Sequence, residues 1–178
     1  MLFQRPETGV SASVQARCAL PPDRALVTIA ALPLPDVFLR WGPFPGVVAV
    51  DGQVGGWDAA GRSRRPRFSD GGTVVETLVE YVPGSSFAYE LRGFTDVFGR
   101  IVDGVRGEWT FTPDGDGSVV RWTWEFKPKA RSRPVLAGVV VPLYRRYMQR
   151  VVDLSVELAG AGSGGAGSGA LTRSVGPA

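Results

Sequence analysis

The segment from Asp103 to Lys127 constrains the fold more than any other part of the chain, because it predicts a β-hairpin with one aromatic face. On either side of a turn at Asp114 to Gly117, apolar and polar residues alternate with the period of two that is typical of half-buried strands. Glycine and aspartate in the turn support the same interpretation. The shared face carries three tryptophans and two phenylalanines: Trp109, Phe111, Trp122, Trp124 and Phe126. The hairpin therefore predicts an antiparallel sheet whose inner face is aromatic.

The register of this hairpin is limited to two possibilities. Aromatic residues can face aromatic residues across a four-residue loop in either of two registers, and each places an acid opposite an arginine on the solvent face. One register pairs Glu108 with Arg121, and the other pairs Arg106 with Glu125. The sequence leaves both open.

The charge balance favours an ordinary solvated surface. Twenty basic residues against 17 acidic ones give a net charge of +3 and a pI near 9.4, and the basic residues are scattered rather than gathered in one block. We therefore expect no nucleic-acid partner, although the clusters Arg62 to Arg67 and Arg145 to Arg150 keep that alternative open.

The missing residue types exclude several chemistries. The chain has no histidine, which removes the usual general base, the usual metal ligand and every histidine-dependent triad. Its single cysteine, Cys18, can form neither an internal disulfide nor a thiolate metal site, and we expect it to be a small buried core residue. No metal or cofactor is expected.

The compartment is predicted from the same absences. No basic leader precedes an apolar stretch, and no apolar run approaches the ~18 residues of a membrane-spanning helix. The sequence therefore predicts a cytoplasmic protein, either a monomer or a weak homodimer, without a membrane span.

The rest of the chain alternates between strand and helix patterns. Strands are expected where apolar residues alternate, and helices where proline and acidic residues precede an apolar stripe. The Thr73 to Val82 strand is apolar on both faces, so its orientation is open. The predicted segments are a strand at Val10 to Leu20, helices at Pro22 to Ala31 and Asp36 to Trp41, and further strands at Val47 to Gln53, Arg62 to Ser69, Thr73 to Val82 and Phe87 to Arg92.

The C-terminal part predicts one long amphipathic helix, Pro142 to Ala159, after a helix start at Ser132 and Pro134. Its apolar stripe recurs every three or four residues and consists of Leu143, Tyr147, Val151, Leu154 and Leu158. Residues 160 to 178 are rich in glycine, alanine and serine and are predicted to be a flexible tail. Residues 1 to 159 then form a single domain.

This order of elements resembles the helix-grip arrangement of the START-like (SRPBCC) superfamily, particularly its bacterial polyketide cyclase/dehydrase-like and lipid-transport members. The resemblance covers about Val10 to Leu158. Local features that carry it include Leu20 to Asp23 entering the first helix, Trp57-Asp58, Ser69 to Gly71 and the Gly107 to Phe111 strand. It implies an α+β fold with a curved antiparallel sheet of about six to seven strands around the C-terminal helix, and two short helices after the first strand.

The resemblance also implies an apolar cavity between the sheet and the long helix, which would hold a small hydrophobic molecule. The apolar segment Gly93 to Val102 would be a lid over its mouth or a loop packed on the core. The residues expected to wall the cavity are Trp41, Tyr81, Phe87, Phe94, Phe98, Trp109, Phe111, Trp122, Trp124, Leu143 and Tyr147.

Without histidine, acid and base chemistry falls to carboxylates, tyrosines or arginines. Arg64 and Glu76 share strand faces with apolar residues, and a hairpin turn at Asp70 to Gly72 places them diagonally across two strands. They would form a buried pair that orients a ligand, or they would be exposed or merely paired with each other. Tyr89 lies on an apolar face, where its hydroxyl would need a partner. These three are the candidate catalytic residues.

Three functions therefore remain in view. Binding of a lipid, polyketide or aromatic metabolite needs only the walls and a gate. A cyclase, aromatase or dehydratase without histidine or metal would use the candidate catalytic residues on a poly-carbonyl substrate. An interaction module would use the apolar loop or the basic helix face to contact a protein, RNA or membrane surface.

Overall fold

The computed structural model describes residues 10–164, which form a seven-stranded antiparallel sheet curved around a long C-terminal helix. The strands are β1 Val10–Cys18, β2 Val47–Asp51, β3 Ser63–Phe68, β4 Val75–Val82, β5 Ser86–Arg92, β6 Val102–Asp114 and β7 Gly117–Pro128. The helices are α1 Pro22–Ala30, α2 Leu34–Val37, α3 Arg133–Val135 and α4 Val141–Gly164, with a short 3₁₀ helix at Val97–Arg100 and a π-helical segment at Leu136–Val140. The strand order is β1-β7-β6-β5-β4-β3-β2. The predicted helix-grip architecture is confirmed.

The predicted hairpin is β6 and β7, and the structure decides between its two registers. Arg106 lies opposite Glu125, and Trp109 lies opposite Trp122. The alternative pairing of Glu108 with Arg121 is wrong. The aromatic residues of both arms share the buried face, as the alternation predicts.

The turn of this hairpin is shorter than predicted. Pairing continues to Asp114 and Gly117, so two residues, Gly115 and Asp116, remain in the turn instead of four. Gly115 has a φ of 59°, and a glycine at the first central position allows the positive φ that a two-residue hairpin turn needs.

The N-terminal elements lie within two residues of their predicted ends, except for α2. That helix begins at Leu34 and ends at Val37 instead of running from Asp36 to Trp41. Its backbone leaves the helical region at Phe38, and Trp41 forms an antiparallel bridge with Phe44. Cys18 is buried, with 1% of its surface exposed, as predicted.

The orientation of β4, which the sequence left open, is set by a β-bulge. Glu76 and Leu78 point inward, and the register shifts between Leu78 and Glu80. Because of this extra residue, Tyr81 lies opposite the buried Phe87. The bulge thus keeps both halves of the strand facing the interior.

The C-terminal helix is continuous from Arg133 to Gly164 and passes through the π-helical segment. Pro142 lies two residues after the end of that segment, and the wider π turn is suited to a residue that lacks an N–H and would clash with the carbonyl four residues earlier. The helix extends beyond its predicted end at Ala159, so residues 160–164 are helical rather than part of the tail. The remaining predicted tail, 165–178, lies outside the described residues.

The buried face of α4 is wider than the predicted stripe and is rotated from it. Leu143, Leu154 and Leu158 are only partly buried. The helix packs against β1 and β7 on one side and α1 on another, so it buries two adjacent faces and the leucines lie at their edge. The fully or nearly fully buried residues are Val141, Tyr144, Tyr147, Met148, Val151, Val152, Ser155 and Ala159.

Candidate ligand-binding site

A cavity of about 410 Å³ lies between one end of the sheet and the first turns of α4. Its walls are mainly apolar side chains from β3, β4 and β5, from the segment around Phe44, from the loop after β5, and from residues 139–147. This volume lies within the range of small-molecule sites in proteins. We refer to it below as the cavity.

Two tyrosines of α4 bring unpartnered hydroxyls to this apolar space. Tyr144 and Tyr147 are 7% and 4% exposed and both line the cavity. Within residues 10–164, neither hydroxyl has a hydrogen-bonding partner. Burial raises the pKa of both phenols, and in Tyr144 the neighbouring Tyr147 and Tyr89 add to the increase. Both hydroxyls therefore remain protonated at neutral pH and can donate a hydrogen bond to a ligand.

A third phenol, Tyr89 of β5, is held in place by two hydrogen bonds from the β6–β7 hairpin. The indole N–H groups of Trp122 and Trp124 each donate to the Tyr89 oxygen at 2.9 Å. Burial raises the pKa of Tyr89, and the charge of nearby Glu76 raises it further. Because its oxygen already accepts two bonds, the capacity that remains is to donate the hydroxyl hydrogen. Tyr89 can polarise a ligand oxygen, but it is poorly suited to act as a phenolate base.

The position of the Tyr89 ring depends on a glycine in the neighbouring strand. Gly107 lies directly opposite Tyr89, and a Cβ atom there would be 2.2 Å from the Tyr89 Cζ. The absence of a side chain at Gly107 leaves room for the Tyr89 ring, whose hydroxyl reaches both indoles.

The predicted pair of Arg64 and Glu76 is formed and buried. The Arg64 Nε donates to Glu76 Oε2 at 2.6 Å, and Nη2 donates to Oε1 at 3.2 Å. The two residues are directly opposite in the β3–β4 register rather than diagonal. The Arg64 guanidinium also lies 3.9 Å from the centre of the Trp57 ring. The alternative of an exposed pair is wrong.

The two members of the pair share a small space of about 30 Å³, which Tyr89 also lines, but they differ in the larger space that each one faces. Glu76 lines the cavity, whereas Arg64 lines a second space of about 500 Å³ that also contains Tyr81 and Trp57. Arg64 therefore orients Glu76 from behind and does not reach into the cavity.

The mouth of the cavity is formed partly by the loop between β5 and β6. Phe94 and Phe98 make an edge-to-face contact with centroids 5.1 Å apart, and both line the cavity. The backbone N–H of Thr95 donates to the carbonyl of Thr73 at 3.0 Å, and the N–H of Thr73 donates to the Thr95 hydroxyl at 2.8 Å. The loop thus packs on the core and borders the cavity as well.

The predicted wall residues divide into three groups. Phe94, Phe98, Trp124, Leu143 and Tyr147 line the cavity. Trp41 stacks on Phe44 and Tyr81 lies at the second space, so neither is in the wall. The others fill the interior beneath the cavity, where Trp109 and Trp122 stack at 5.0 Å. Those core residues are Phe87, Trp109, Phe111 and Trp122.

Several wall residues were not predicted. Tyr144 follows Leu143 immediately, and its burial follows from the rotated face of α4. Phe44 and Phe68 come from a proline-rich segment and from the end of β3, where periodicity carries no signal. The mouth acids Asp70 and Asp96 lie in loops. The sequence carried a signal for Asp96, because it lies within the apolar segment Gly93 to Val102.

Two features of the described residues bear on other classes of function. Among residues 10–164, no group of three or more cysteine or acidic side chains is placed to hold a metal ion. None of the helices in the same range is long and apolar enough to cross a membrane.

The fold and the cavity together define a helix-grip protein of the START-like (SRPBCC) superfamily. Residues 9–168 match the family model described as polyketide cyclase / dehydrase and lipid transport, and the chain belongs to this family. No curated protein matches the sequence.

Solved structures show the same fold at low sequence identity. The crystal structure of Ara h 8.0201 is 13% identical with a TM-score of 0.65, covering 85% of this chain and 97% of that one. The structure of XoxI from Bacillus cereus is 16% identical with a TM-score of 0.60, covering 83% of this chain and 94% of that one. At these identities the comparisons establish the architecture.

Proposed function

We propose that the protein binds a small hydrophobic molecule, such as a lipid, polyketide or aromatic metabolite, in the cavity. The observation that carries this proposal is the mainly apolar cavity of about 410 Å³, whose wall includes the hydroxyls of Tyr144 and Tyr147 without a partner among residues 10–164. A ligand with an oxygen acceptor would give these hydroxyls a hydrogen-bonding partner in an otherwise apolar site.

The walls supply the larger share of the binding energy. Each methylene group transferred from water to an apolar surface contributes about 0.8 kcal/mol, and the cavity is large enough for several. The hydroxyls of Tyr89, Tyr144 and Tyr147 would then fix the ligand's orientation, since polar groups in a mainly apolar site act chiefly on specificity.

The proposal is tested by filling the cavity from α4. Leu143 lines it, whereas Leu154 is a similarly half-buried leucine on the same helix outside it. We expect Leu143→Trp to weaken binding of the neutral dye N-phenyl-1-naphthylamine by about tenfold or more, because the indole occupies ligand space. The same change at Leu154 is the matched control. Equal dye affinity in the two variants would contradict the proposal, as would native mass spectrometry that never detects a bound molecule.

A second candidate function, cyclase or dehydratase activity, is favoured by one observation. Glu76 and Tyr89 line the same cavity, and Tyr89 has a hydroxyl hydrogen to donate, while Arg64 orients the carboxylate of Glu76. A phenol that polarises a carbonyl beside a carboxylate that accepts a proton is a competent arrangement for condensing a poly-carbonyl chain.

The catalytic candidate predicts that Glu76→Gln and Tyr89→Phe each lower kcat for a poly-carbonyl substrate by about 100-fold. Steady-state kinetics should show a much smaller change in KM, because the apolar walls are intact in both variants. Unchanged turnover in both variants would show that Glu76 and Tyr89 do not catalyse the reaction, whereas no turnover by the unmodified protein would favour a carrier over an enzyme.

A further inference from the structure

The ionised side chains that line the cavity all have the same sign. They are Asp70, Glu76 and Asp96, and among the described residues no lysine or arginine lines this space. The net charge of the whole chain is +3, so this acidic lining runs against the overall balance. The cavity therefore has an electrostatic character of its own.

Inside the cavity, the negative charge is largely compensated. Both oxygens of Glu76 accept hydrogen bonds from Arg64, whose side chain is 7% exposed and lies behind the wall. The deep polar groups that face a ligand are then the neutral hydroxyls of Tyr89, Tyr144 and Tyr147. No cation is available there to receive an anionic group.

At the mouth, the negative charge is not compensated. Asp70 accepts from the N–H of Gly72 at 2.9 Å, and Asp96 accepts from the N–H of Gly99 at 3.3 Å. Within residues 10–164, neither carboxylate forms a salt bridge. Two cations lie close to this loop: Arg100 belongs to it, and Lys129 donates to the carbonyl of Gly99, but neither lines the cavity.

The two carboxylates lie close to each other across a buried glycine. A Cβ atom on Gly72 would be 2.8 Å from the Cβ of Asp96 and 3.1 Å from Asp70 Oδ1. Partial burial raises the pKa of Asp96, and the charge of Asp70 adds to that increase. A positive group at the mouth would relieve this repulsion, and a negative group would add to it.

From this distribution we infer that the cavity selects its ligand by charge: it accepts hydrophobic molecules that are neutral or carry a protonated amine and rejects equivalent molecules with a carboxylate. The inference rests on the proposed function and narrows its ligand class. The neutral end of the ligand lies against the three phenols, and an amine, where present, lies at the mouth between Asp70 and Asp96.

The test uses three probes of one chain length: decanol, decylamine and decanoate. At pH 7 the amine is protonated and the acid ionised, so the probes differ mainly in charge. Each is titrated against the full chain loaded with the neutral dye N-phenyl-1-naphthylamine. We expect decanol and decylamine to displace the dye at concentrations at least about tenfold lower than decanoate.

The mouth carboxylates are tested with the double variant Asp70→Asn and Asp96→Asn. Asparagine retains the side-chain oxygen that accepts the backbone N–H in each loop, so the loops keep their hydrogen bonds. The amine-to-decanoate preference should fall by about tenfold in this variant. Asp116→Asn, in the hairpin turn and outside the cavity lining, is the matched control and should leave the preference unchanged.

The possible results separate the inference from the proposed function. If decanoate binds as tightly as decanol and decylamine, or if the preference is the same in the double variant, the charge selection is wrong and the binding function stands. If the dye and all three probes fail to bind, the proposed function is wrong and the inference falls with it.

Discussion

At the scale of single residues, the tyrosines are distributed unusually. The chain has four, of which Tyr89, Tyr144 and Tyr147 are buried and line the cavity, while Tyr81 is only partly buried. A phenol is apolar enough to be buried and still brings a hydrogen-bond donor. In a protein without histidine, these three hydroxyls are the neutral polar groups with which the cavity can recognise a ligand.

The buried phenols predict an alkaline limit to stability. Burial raises the folded-state pKa of Tyr89, Tyr144 and Tyr147 above the unfolded value near 10.0. The unfolded chain therefore loses phenol protons first, and the free energy of unfolding falls as the pH rises above about 10. Phenolate absorbance after a jump to about pH 11 should show far fewer ionised tyrosines in the native protein than in urea.

A variant identifies the groups responsible for this limit. Tyr144→Phe with Tyr147→Phe removes two of the raised phenols, so its alkaline unfolding midpoint, followed by circular dichroism, should move to higher pH. Ionisation of all four tyrosines near pH 10 in a chain that keeps its native spectrum would contradict the burial argument.

At the scale of elements, the hairpin of β6 and β7 lies beneath the cavity and holds one of its polar side chains in place. Trp109 and Trp122 stack in the core, while Trp122 and Trp124 hold the Tyr89 hydroxyl. Of the three tryptophans, only Trp124 lines the cavity itself. The hairpin therefore positions a polar group more than it provides a wall.

The close fit of Gly107 against Tyr89 gives a prediction about these two strands. Gly107→Ala places a methyl group where the Tyr89 ring lies, so the ring must move and its bonds to the indoles are lost. We expect the free energy of unfolding in urea to fall by about 1–3 kcal/mol, with weaker dye binding.

A double-mutant cycle shows whether the ring is the cause. In a Tyr89→Leu background the added methyl meets a smaller side chain, so Gly107→Ala should cost much less there. The same cost in both backgrounds would mean that the glycine is needed for its backbone and not for the ring.

At the scale of the whole molecule, the sequence predicts the order and type of the elements well and the depth of side chains poorly. Alternation in β6 and β7 assigns each residue to the inner or the outer face of the sheet. The tryptophans would share the inner face whether they fill the core or border a cavity, so alternation does not predict which of the two they do. Trp109 and Trp122 lie over the middle of the sheet, where they stack. The cavity lies at one end of it.

Other differences arise because tertiary contacts are not encoded locally. The Leu143 to Leu158 spacing locates α4, yet Tyr144 is buried because the helix packs against the sheet and α1 together. Asp70 and Asp96 meet because hydrogen bonds between Thr73 and Thr95 join two loops that are distant in sequence. The Arg64–Glu76 pair was predictable because neighbouring strands fix both residues.

The long C-terminal helix divides its tasks along its length. Val139, Val140, Leu143, Tyr144 and Tyr147, at the π-helical segment and the first turns of α4, line the cavity, whereas Met148, Val151 and Val152 lie in the core. Under the proposed function, the residues that contact the ligand and the residues that stabilise the core therefore occupy consecutive stretches of one helix. Substitutions in the earlier stretch would then change ligand preference while the later stretch continues to hold the fold, which makes the helix a favourable starting point for redesigning specificity.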